Sequence, residues 1–159
     1  MQRLTLVCVG RLREAFYIDA AAEYVKRLSR YGKIELTEVD DLPEPEHASD
    51  ADRQRVMQRE GEALLKRIRP ADYVIALCID APQLASEGVA ELLKDRDRAG
   101  GRTVFVIGGS LGLSPQVIAR ADRCLSMSRM TFPHQLARVM LLEQLYRARK
   151  IQAGEKYHK

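Results

Sequence analysis

The stretch Phe105-Val-Ile-Gly-Gly-Ser-Leu-Gly-Leu-Ser114, followed by Ser128-Arg-Met-Thr-Phe-Pro-His134, decides how this chain is read. Each segment leaves an apolar run and enters a helix signal. Ser114-Pro115 is a helix cap followed by a proline at the first helical position, and Pro133 sets the start of the last helix. Thr103 to Ile107 reads as a buried strand, so the glycine-rich loop after it lies at a strand's carboxyl end, where open α/β sheets bind ligands. The loop is not a Walker A motif, because no Gly-Lys-Ser/Thr follows, and its glycines are not spaced as G-x-G-x-x-G. Taken alone, it serves equally well as a tight strand-to-helix turn or as a place where a ligand approaches the main chain.

Working outward, strand and helix signals alternate. Leu4 to Gly10, Ile34 to Val39, Tyr73 to Ile79 and Cys124 to Ser126 read as further strands. The spacing predicts helices from Phe16 to Leu28, from Ser49 or Asp52 to Ile68, from Ser86 to Ala99 with Ser86 as its cap, from Pro115 to Ala121, and from Pro133 to Lys150. Along the first of these, Phe16, Ala20, Tyr24 and Leu28 share one face. Such alternation means an α/β fold with a mostly parallel sheet, and no linker or repeat divides residues 1–159, so one domain is expected.

Composition narrows the classes. Hydrophobic residues are 46% of the 159, enough to build a core, yet no run reaches the roughly 20 apolar residues of a membrane span. The amino-terminal segment is too short and strand-like for a signal peptide, so a cytoplasmic protein is expected. Cys8, Cys78 and Cys124 are widely separated and sit in apolar runs, as buried free thiols do; they and the three histidines lack metal spacing, and no metal is expected. The net charge of +4 is unevenly spread. Asp40 to Asp52 holds six acids and no Lys or Arg, whereas Arg138 to Lys159 holds six basic residues against Glu143 and Glu155. One face is thereby suited to polyanions, although solubilising surface charge accounts for the same pattern.

Several residues carry two readings. Met130 and Phe132 suit either apolar walls of an adenine pocket, closed by Leu77, or ordinary core. His134 suits a helix cap or a substrate contact. Arg138, one turn later, is placed to steady a phosphate or a pyrimidine ring. Arg147 stands four residues after Glu143, as in an exposed ion pair worth ~0.2–0.5 kcal/mol, and equally suits substrate charge. Tyr157 and His158 either fray with the chain end or fold over the site to stack on and bond a base. In the last helix, apolar surface from Leu136 to Tyr146 exceeds what one sheet covers and points to a second subunit.

Together these segments resemble one known family. Val9-Gly10 with Leu12 and Glu14, Glu23-Tyr24, Lys26-Arg27-Leu28, Glu60-Gly61-Glu62, Phe105 to Gly112, Thr131 to His134, Arg138-Val139, Glu143, Leu145 to Ala148 and Tyr157-His158 are similar to the RlmH family of SPOUT-class methyltransferases. The resemblance implies a SPOUT-like parallel sheet flanked by helices and a carboxyl-terminal trefoil knot. It implies transfer of a methyl group from S-adenosyl-L-methionine to N3 of a pseudouridine, in the helix 69 loop of 23S rRNA, within the large subunit or the 70S ribosome. It further implies a homodimer. Cofactor contacts fall on Leu77, Gly108, Gly109, Ser128, Arg129, Met130, Thr131, Phe132 and Pro133; substrate placement or charge stabilisation falls on Arg138, Arg147, Tyr157 and His158. One departure is Ala81-Pro82-Gln83-Leu84 after Asp80, where the family often carries Gly-Lys. The competing expectations are a non-catalytic ribosome- or RNA-binding α/β protein and a nucleotide-binding protein with another cofactor.

Overall fold

The structure is a computed structural model describing residues 2–159. Five strands, β1 (Arg3–Val9), β2 (Lys33–Val39), β3 (Tyr73–Leu77), β4 (Arg102–Ile107) and β5 (Arg123–Leu125), form one sheet in the order β2-β1-β4-β3-β5. Every pairing is parallel, with Leu6 opposite Phe105 and Ile75 opposite Phe105 from the other side. Four α-helices connect the strands, α1 (Ala15–Leu28), α2 (Asp50–Leu65), α3 (Ser86–Ala99) and α4 (Pro115–Arg120), and a fifth, α5 (His134–Gln152), follows β5.

A parallel sheet must be covered on both faces, and the strand side chains divide accordingly. Leu4, Leu6, Cys8, Ile75, Phe105 and Ile107 point to α1, α3 and α5, and α5 packs between the other two. Val7, Val9, Val74, Val104 and Val106 point to α2 and α4. The second face is lined almost wholly by valine, so its helices approach closely. Gly61 of α2 makes this possible: a Cβ there would stand 2.2 Å from Ser114 Oγ.

Local chemistry explains where the elements depart from expectation. Ser49 caps α2 through the Asp52 amide, while Asp52 Oδ2 accepts from the Ser49 amide, so the helix starts with a full capping box. α2 ends at Leu65, short of Ile68: Arg67 and Ile68 bond back only three residues as the chain tightens ahead of Pro70. β3 ends at Leu77, short of Ile79. Ser86 is not the cap of α3; Ala85 occupies that position and Ser86 Oγ donates to Gln144 on α5 instead. The face of α1 also differs. Ala21 and Leu28 are buried with Tyr24 and Val25 beside them, and Phe16 is 64% exposed. At about 100° per residue, Phe16 lies some 140° round the helix from Ala21, off the buried stripe.

Candidate active site

Beyond the carboxyl ends of β3, β4 and β5, the chain leaves the sheet three times and encloses a cavity of about 760 Å³. Loop 108–113 and loop 126–133 form facing walls, with Leu77, Cys78 and Ile79 closing one end. Glycines shape the first loop for two different reasons. A Cβ on Gly108 would come within 2.7 Å of the Gly112 main chain, so the loop can fold back on itself only without one. Gly112 has φ +81°, and its N–H donates to Gly109 O at 3.0 Å, which closes the turn. Ser114 then caps α4 through the Val117 amide. The second loop is braced by Ser126, whose hydroxyl donates to Ser128 O at 3.0 Å, and by Ser128 Oγ, which accepts from the Met130 amide. Ser126 N–H bonds Pro82 O at 2.9 Å, so the Ala81-Pro82-Gln83-Leu84 segment is stitched to this loop.

Leu77, Gly108, Gly109, Ser128, Met130, Thr131, Phe132 and Pro133 all line the cavity; Arg129 does not. His134, read as a cap or a substrate contact, lines it too, and Cys78, Ile79, Ile107, Leu113, Ile118, Met127 and Ala137 line it beyond the sequence expectation. Most of these belong to segments adjacent to the motifs, and only the path of α4 reveals Ile118. The walls are predominantly apolar, with Ser110, Ser128, Thr131 and His134 as the polar residues among them, which suits a flat, uncharged heterocycle on a polar stem. Cys78 is held as a thiol, its pKa pushed up to about 11 by burial and by neighbouring Cys124.

The basic residues expected at the site separate into two groups. Arg138 is 1% exposed and does not line the cavity. Its Nη1 donates to Glu38 Oε2 at 2.6 Å and its Nη2 to Gly10 O at 2.8 Å, so it ties α5 to the ends of β1 and β2. Glu60, not anticipated as a site residue, is buried behind the glycine loop. Its Oε2 accepts from the Leu42 amide at 3.1 Å, and its Oε1 lies 3.3 Å from where a Gly109 Cβ would be. Burial holds its carboxyl above the ordinary range.

Arg147, Tyr157 and His158 cluster elsewhere, with the chain end folded back rather than frayed. Arg147 Nη2 and Tyr157 Oη both donate to Glu143 Oε1, at 2.6 and 3.1 Å, and the Arg147 guanidinium stands 4.8 Å over the Tyr157 ring. Tyr157 packs edge-on to Tyr146, and His158 Nε2 is 2.7 Å from Glu87 Oε1 on α3. Burial and the Glu143 charge raise the Tyr157 phenol to about 12. His134 and Arg147 sit thirteen residues apart on one helix, roughly 20 Å of rise. A single chain therefore carries the cavity and the carboxyl-terminal cluster at separate places.

A family model described as predicted SPOUT methyltransferase matches residues 2–158. The chain belongs to that family. Among curated relatives, it is 51% identical over 158 residues to ribosomal RNA large subunit methyltransferase H of Bifidobacterium adolescentis, covering 99% of each chain. It is 47% identical over 157 residues to the protein of the same name from Carboxydothermus hydrogenoformans, covering 98% of this chain and 99% of that one. Two solved structures share the fold. A probable methyltransferase from Bordetella pertussis Tohama I gives a TM-score of 0.54 at 16% identity, over 92% of this chain and 94% of that one. A probable methylase family protein from Haemophilus influenzae Rd KW20 gives 0.53 at 15% identity, over 95% and 66%. Among the described residues no helix is long and apolar enough to cross a membrane.

Proposed function

We propose that this chain is a methyltransferase of the large ribosomal subunit that takes its methyl group from S-adenosyl-L-methionine. The acceptor is N3 of a pseudouridine in the helix 69 loop of 23S rRNA, reached in the assembled cytoplasmic ribosome. The observation that carries this reading is the apolar, loop-walled cavity beside β3, β4 and β5, in a chain about half identical to proteins named as ribosomal RNA large subunit methyltransferases. The bound cofactor supplies an electrophilic methyl on a positively charged sulfur. Leu77, Gly108, Gly109 and Ser128 through Pro133 would hold it, with Phe132 and Leu77 against the purine and main-chain groups of both loops toward its polar edge. Arg129 would reach RNA from the outer side of its loop.

The remaining residues position the acceptor. Arg147, Tyr157 and His158 lie too far from the cavity of their own chain to serve it, so the reading includes a homodimer in which the tail cluster of one copy faces the cavity of the other. There the Tyr157 ring would stack on a base and Arg147 would offset developing negative charge. Arg138 acts from beneath, by fixing the entry to α5. Residues 1–159 work as one domain, and the carboxyl-terminal trefoil knot belongs to the same reading; loops 108–113 and 126–133 facing one another just before α5 support it.

The test is nucleoside mass spectrometry of ribosomes from cells lacking the protein, before and after incubation with purified enzyme and labelled S-adenosyl-L-methionine. Label on N3-methylpseudouridine is the expected outcome. Binding of ribosomes without label transfer would instead identify a non-catalytic RNA-binding protein.

A further inference from the structure

Methylating an imide nitrogen requires that its proton leave, and the chain must offer a place for it. Among the described residues lining the cavity, only Cys78 and His134 titrate. Cys78 is already a protonated thiol. His134 is half-buried at the first turn of α5 and does not cap that helix, whose cap position is Pro133 with no side-chain hydrogen bond. The ring spans from the cavity wall to the turn at Gly10. Its Nε2 lies 3.4 Å, and the Asp41 Cγ 3.8 Å, from the point a Gly10 Cβ would occupy. Imidazole and carboxylate thus both border the space that a side chain at Gly10 would fill.

We propose that His134 is the proton acceptor of the methyl transfer. This rests on the functional reading above. The N3–H proton passes to an imidazole nitrogen of His134. The N3 electron pair bonds to the methyl carbon of the sulfonium donor, and the electrons of the broken methyl–sulfur bond stay on sulfur. Positive charge thus moves from sulfur to imidazolium, which then releases its proton to water. Every charged element packed around His134 bears on this. Burial and Arg138, on the same helix, hold His134 below its ordinary 6.5 and hence neutral at physiological pH, while Asp41 opposes them and stabilises the imidazolium once formed. Asp41 is balanced by Arg13 of the β1–α1 loop, and Arg138 by Glu38 of β2, with Cys8 of β1 beneath it as a thiol and Glu60 of α2 behind Gly109.

The experiment combines an imidazole NMR titration of the protein alone with single-turnover methylation of ribosomes across pH. The NMR titration of His134 should fall below 6.5, and the lower limb of the rate profile should coincide with it. His134→Gln should bind S-adenosyl-L-methionine within about threefold by calorimetry and lose roughly 10²–10⁴-fold in rate. Asp41→Asn, in an exposed loop, should move the NMR titration and the kinetic limb together to lower pH. The proposal is overturned if His134→Gln methylates within about threefold of the parent, or if Asp41→Asn moves one titration without the other. Should the parent enzyme form no N3-methylpseudouridine at all, the functional reading fails, whatever His134 does.

Discussion

Arg138 Nη1 and Glu38 Oε2 lie 2.6 Å apart across 100 residues of sequence, joining the first turns of α5 to the outer strand β2. The guanidinium is buried, and the same side chain donates to Gly10 O at the end of β1. This one residue therefore sets the entry to α5, and with it Pro133 and His134 on the cavity wall.

Arg138→Met should cost about 3 kcal/mol, because a lost partner strands Glu38 and the Gly10 carbonyl; Glu38 keeps some contact with water, which holds the cost to the low end for broken buried pairs. Urea melts should show a lower midpoint with an unchanged slope.

Gly61→Ala puts helix propensity against packing. Alanine is worth roughly 1 kcal/mol in a helix interior. The new methyl would collide with Ser114, displacing the α4 cap, worth about 1 kcal/mol, and overfilling a tight interface for ~1–3 kcal/mol more. Net destabilisation is expected, and the double variant Gly61→Ala, Ser114→Gly should recover part of it in thermal melts.

Glu60 should make stability fall as pH rises. Its folded carboxyl is raised by burial above the ordinary 4.5, so the native state binds the proton more tightly than the unfolded chain. The stabilisation is complete below the unfolded value and is lost as pH climbs through the folded one. Glu60→Gln keeps an acceptor for the Leu42 amide without a charge. Its stability relative to the parent should improve as pH increases from the acid side of that window, measured by denaturant melts at successive pH values.

Ending the chain at Gly154 removes Glu155, Tyr157 and His158 and should separate binding from turnover. S-adenosyl-L-methionine affinity should stay within about threefold, since none of these residues lines the cavity, while methylation falls by roughly 100-fold or more. Equal losses of both would remove the tail from substrate placement.

Phe132→Ala should act the other way, weakening cofactor binding about tenfold by removing an apolar wall, with little effect on stability because the ring is only partly buried. Calorimetry reads the first effect and melting the second.

Periodicity and capping chemistry by themselves determined the order of the elements, the parallel sheet and the two loops that leave β4 and β5, because each is written in residues close along the chain. Pro115, Pro133 and Gly112 act on their own backbone, and the valine and leucine runs of β1, β3 and β4 alternate faces wherever they are placed. What only the tertiary structure decided is what long, jointed side chains do. Arg138 was legible as a cation near the loops, but whether it met solvent, substrate or Glu38 depended on β2, which comes a hundred residues earlier. Ser86 read as a cap and instead bonds Gln144, and Phe16 read as sharing a face with Leu28 yet lies exposed while Leu28 is buried, because helix rotation is set by the partner helix and not by the local pattern. Glu60 at Gly109, and Asp41 with His134 across the gap left by Gly10, followed the same rule. A side chain several bonds long takes its partner from whichever element the fold brings within reach, and that is a property of the assembled sheet.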